Sequence, residues 1–123
     1  MTAAAFTASV NRLLTQVSHW QPARWSSPAA GAPSRAGAAG GPSGAHAAGV
    51  PSRADAVFAL VQRLADLSAD AEHRERRPVP RENDLVLPDQ LRVMSADLLA
   101  AAPPDPLLTE AREAVDATRK ALA

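Results

Sequence analysis

Ser52-Arg53-Ala54-Asp55-Ala56-Val57-Phe58-Ala59-Leu60-Val61-Gln62-Arg63-Leu64-Ala65-Asp66-Leu67 is the stretch on which the reading of the fold turns. It opens with a serine followed three residues on by an acid. That is the pattern of a capping box: the Ser52 hydroxyl accepts from the Asp55 amide and the Asp55 carboxylate reaches back. Val57, Phe58, Leu60, Val61, Leu64 and Leu67 then recur three and four apart, which places them on one face of an α-helix. The helix is expected over about 52–72.

The same period appears on either side. Phe6, Val10, Leu13, Leu14, Val17 and Trp20 make one stripe of a helix over about 2–20, which Pro22 stops. A third helix is expected over about 88–102, with Pro88 at its first position and Leu91, Met94, Leu98 and Ala101 facing inward beside Leu87 and Val93. Pro103-Pro104 ends it. A fourth is expected over 105–122, with Asp105 as N-cap, Glu110 and Glu113 toward its start, and Arg119 and Lys120 in its last turn, as the macrodipole favours. An Asp116–Lys120 pair would add to it. Leu108, Ala111, Val115, Thr118 and Leu122 form its narrow apolar seam.

Residues 26–49 read differently. Pro, Gly, Ala and Ser supply most positions and no apolar period survives, so the stretch buries too little to offset backbone entropy of about 1–2 kcal/mol per residue. Pro33-Ser34-Arg35-Ala36 is echoed by Pro51-Ser52-Arg53-Ala54, as a local duplication lengthening a loop would leave it. The expected fold is therefore all-α: one domain over 1–123, a small and largely antiparallel four-helix bundle, with 26–49 as a disordered linker between its first two helices.

Composition excludes more than it selects. The chain has no cysteine, so disulfide frameworks, thiolate zinc sites and cysteine nucleophiles are ruled out. Net charge is zero, though residues 1–54 carry Arg12, Arg24, Arg35 and Arg53 without an acid, and the remainder is acidic to the same extent. Balance of this kind gives no reason to expect a polyanionic partner. No run of residues is apolar over membrane-spanning length and no basic, apolar leader opens the chain, so a cytoplasmic location is expected. Gly-x-Ser-x-Gly, Walker and Gly-x-Gly-x-x-Gly patterns are missing, and no cofactor is expected.

Three groups of side chains remain as candidate sites. In His19-Trp20-Gln21-Pro22-Ala23-Arg24-Trp25, Trp20 continues the first stripe and is expected in the core. Trp25 lies past the proline, where it either caps the bundle or joins Arg24 in a partner-binding spot. Arg74, Arg76, Arg77 and Arg81 make a basic loop around Pro78-Val79-Pro80, a sequence that favours an extended path. It suits a solvated connection first, and an acidic protein, an anionic ligand or nucleic acid second. Asp66, Asp70 and His73 fall at i, i+4 and i+7, a spacing that allows a metal ligand set. Ion pairs of Asp66 with Arg63 and of Asp70 with Arg74 explain the same residues. The sequence-level expectation is a non-catalytic accessory or adaptor module that binds a protein partner or a second copy of itself. The alternatives are a metal site at Asp66, Asp70 and His73 or a weak anion binder at the basic loop.

Overall fold

A computed structural model describes residues 2–29 and 51–122, and most of the expected 26–49 linker lies outside them. The described residues are mostly helical and contain no strand. In chain order the helices are α1 (Thr2–Val17), α2 (Pro22–Ser26), α3 (Arg53–Ala71), α4 (Leu87–Ala100, entered through a 3-10 turn at Asp84–Val86) and α5 (Asp105–Leu122).

Four long helices share one apolar core. Phe6, Val10, Leu13 and Val17 of α1 meet Val57, Val61 and Leu64 of α3, Leu87, Leu91 and Leu98 of α4, and Leu108, Val115 and Leu122 of α5. Val93, expected to face inward, is 52% exposed. It sits two positions after Leu91, on the opposite side of a 3.6-residue turn.

Helix order follows from what touches what. α3 packs extensively on both α4 and α5, and α1 packs on α5 and more thinly on α4. α1 and α3 therefore face each other across the core, as do α4 and α5. Arg53 at the start of α3 bonds the Leu122 carbonyl at the end of α5, and Arg63 pairs with Glu110, so α3 and α5 are antiparallel. α3 and α4 run parallel. Arg81 bridges Asp55 in the first turn of α3 and Asp84 in the turn that opens α4, so both helices start at the same end. This corrects the expected antiparallel order. Parallel neighbours need a connection that returns the full length of a helix, and residues 72–83 provide it as an extended strap.

Helix ends obey local chemistry. α3 begins with the capping box, Asp55 N–H donating to Ser52 Oγ and Ser52 N–H donating to Asp55 Oδ2, both at 3.0 Å. It ends in a Schellman turn: the Arg74 amide donates to the Ala69 carbonyl at 2.8 Å and the His73 amide to the Asp70 carbonyl at 3.1 Å. His73 holds the left-handed position, φ 57°. α4 also ends on a left-handed residue, Ala102, φ 49°, whose N–H donates to the Leu99 carbonyl at 3.0 Å; Pro103 has no N–H to complete a Schellman turn and prevents continuation. α5 starts one residue earlier than the expected N-cap: the Pro104 carbonyl accepts from Leu107 and Leu108, and Asp105 lies within the first turn. Its helical ion pair is Arg112–Asp116 rather than Asp116–Lys120.

Candidate functional site

Trp25 takes the bundle-capping place, one of the two expected for it, and Trp20, expected in the core, is only half-buried. α1 stops at Val17, where a turn closes with Trp20 N–H on the Val17 carbonyl at 3.1 Å. α2, with proline in its first turn, follows at once and directs Trp25 inward to 1% exposure. Its ring is thus core and caps the bundle end, the first of the two places expected for it, rather than joining Arg24 in a partner-binding spot. Trp20 is half-buried and meets Trp25 edge-on, with centroids 5.0 Å apart. The Arg24 guanidinium sits 5.0 Å above the Trp20 ring, a cation–π contact that occupies its charge.

Beyond α2 the chain is pinned. Arg53 N–H donates to the Ser27 carbonyl at 2.7 Å, Ala29 N–H donates to the Pro51 carbonyl at 3.0 Å, and the Arg53 guanidinium reaches Ser27 Oγ at 2.6 Å. Ala29 and Pro51 therefore lie side by side at the start of α3.

The basic loop is the strap, and its arginines are mostly engaged within the chain. Arg76 grips both Asp70 oxygens, at 3.0 and 2.7 Å. Those two hydrogen bonds hold the Asp70 carboxyl below the usual carboxylate range and raise the Arg76 guanidinium above its ordinary value. Arg74 pairs with Glu72. Arg81 bridges Asp55 and Asp84 and lies 4.9 Å over the Phe58 ring. Arg77 alone of the four has no ion pair among the described residues. The backbone hydrogen bond from Ser52 is the main cause that lowers the Asp55 carboxyl, with Arg81 adding to it.

What holds the strap is a polar residue that no motif marks. The Gln62 amide nitrogen donates to the Arg77 carbonyl at 3.0 Å and to Asp66 Oδ1 at 2.9 Å, while its oxygen accepts from Val79 N–H at 2.7 Å. Gln90 donates to the Pro80 carbonyl at 3.1 Å. Val79 between these bonds is buried with the core.

Asp66, Asp70 and His73 do not converge. Asp66 faces Gln62, Asp70 faces Arg76, and His73 lies exposed beyond the helix end. Among the described residues no three His, Asp or Glu side chains are grouped as metal ligands would be. The expected Arg63–Asp66 and Arg74–Asp70 pairs are replaced by Arg63–Glu110 and Arg74–Glu72.

The thinnest seam of the core, between α1 and α4, leaves an open groove of about 210 Å³. Phe6, Val10, Leu14, Ala96 and Leu99 line it, with Thr7, Asn11 and Arg92 alongside. Ser95, buried in the same groove, has a hydroxyl without a hydrogen-bond partner. Among the described residues no helix is long and apolar enough to cross a membrane. No protein-family model, curated protein or solved structure matches the chain.

Proposed function

We propose that this chain is a non-catalytic, cytoplasmic interaction module: a four-helix bundle acting as an accessory or adaptor subunit. The α1–α4 groove takes the apolar stripe of a partner's helix. One observation carries the reading. Ion pairs within the chain engage many of the charged side chains elsewhere on the surface, whereas this groove is lined mainly by apolar side chains and α1 contributes a single charge, Arg12, to the whole of its length. A binding face of this kind recognises by fit and burial rather than by charge, which suits an amphipathic helix laid into a groove.

Thr7 and Ala96 both line the groove and are exposed, so Thr7→Lys with Ala96→Lys should place charge there without disturbing the core. Wild-type chain is expected to retain a stoichiometric protein through affinity purification and light scattering. The double variant, with unchanged circular dichroism, should lose it by at least tenfold. Equal retention by both proteins, or a wild-type chain that stays partnerless at micromolar concentration, overturns the reading.

A further inference from the structure

Cut at the strap, the chain yields two pieces, α1–α2–α3 and α4–α5. Every extensive contact among the four long helices joins one piece to the other: α3 to α4, α3 to α5, α1 to α5 and α1 to α4. Within the pieces, α1 does not pack on α3 and α4 does not pack on α5 to any comparable extent. Alone, the first piece would expose Phe6, Leu13, Val57 and Leu64, and the second Leu91 and Val115, all 0% exposed in the folded chain. Neither piece has a core of its own, and each is complementary to the other.

That complementarity does not depend on which chain supplies the second piece. We propose that a second copy of this chain is a partner for this fold: two chains exchange α4–α5, each pair docking between α1 and α3 of the other and remaking the same contacts. This rests on the division of the core and not on the groove reading above. Residues up to Arg81 stay bound to their own α3 through Asp70, Gln62 and Asp55, so the exchange turns at the exposed pair Glu82–Asn83. The interface is a closed, isologous exchange of identical elements.

The strap retraces α3 in both forms. The return from Ala71 to the level of Asp55 is about 24 Å along the helix, at about 1.5 Å per residue. Residues 72–81 in an extended path cover about 31 Å, at about 3.1 Å per residue, so each chain makes this return on its own α3 and the two forms differ only at Glu82–Asn83. A short tether gives an effective concentration on the order of millimolar, which favours the monomer in dilute solution.

Two variants test this. Leu64→Asp disables the first piece and Leu91→Asp the second. Each alone is expected to lose cooperative unfolding. In an exchanged pair, one of the two composite units contains neither substitution. Co-refolding the two variants should therefore restore about half of the wild-type unfolding amplitude, in a species that light scattering reports as a dimer. A co-refolded mixture that remains the sum of its parts, or one that regains cooperative unfolding as a monomer, overturns the exchange. Thr7→Lys with Ala96→Lys leaves the exchange intact, so failure of the groove reading is distinguishable.

Discussion

The two long connections of this molecule both contain prolines and are held in different ways. Between α2 and α3 the described residues are joined at the base: Ser27, Ala29, Pro51 and Arg53 bond to one another. Between α3 and α4 the chain is bound along its length: Gln62, Gln90, Asp55 and Asp70 each hold a strap residue, and Val79 is part of the core. The strap's prolines do not keep it off the fold, because the helices beneath present partners for its backbone.

The strongest way to break this contrast is at Gln62. Gln62→Leu removes the partner of the Arg77 carbonyl and of the Val79 amide while keeping the helix and roughly the volume. The Arg77 carbonyl is exposed and can turn to water, whereas the Val79 amide is partly buried and its loss of a partner costs about 1–3 kcal/mol, which is the expected loss. Urea unfolding reads it as a lower midpoint. A change under about 0.5 kcal/mol would mean that the strap lies on α3 without being held by it.

Gln62 also shows where the sequence is legible and where it is not. The helices are legible because burial repeats with the helical period: Phe6, Val10, Leu13 and Val17 are buried for the same geometric reason that they are three and four apart. The capping box is legible because its two partners are three residues apart and can only find each other. Gln62 carries no such mark, since its partners are 15 and 17 residues away. Trp20 falls short of the core for a related reason. A helix ending at Val17 instead of Trp20 resets the phase, and a one-turn α2 starts a new one. Arg63, with Asp66 three residues away and Glu110 across the core seam, pairs with Glu110. Long, exposed side chains have many acids within reach and little energy separating them.

A smaller effect sits where the strap meets the start of α3. Asp55 serves both the capping box and Arg81, and Asp55→Ala is expected to cost about 1 kcal/mol near neutral pH. Its folded-state carboxyl is held below the ordinary range, by the Ser52 amide first and Arg81 next. Stability from this group is therefore fully present above the unfolded value of about 3.9 and is lost as pH falls through the lower folded value. The variant and the wild type should differ at pH 7 and converge under acid. A difference that persists unchanged below pH 2 would show that the carboxylate's charge is not what matters.

The smallest effect belongs to the other connection. Replacing residues 30–50 with a ten-residue Gly/Ser linker roughly halves the loop that Ala29 and Pro51 close, and halving a loop changes closure entropy by about 0.6 kcal/mol in the stabilising direction. The base bonds at Ser27, Ala29 and Arg53 remain available, so the unfolding midpoint should rise slightly and the dichroism of the helical core should be retained. A loss of 2 kcal/mol or more would mean that residues 30–50 contribute packing to the fold, and the contrast with the strap would disappear. Shortening the strap by a similar proportion removes the monomer's ability to close at all, because there the length of the connection is set by the length of the helix it must retrace.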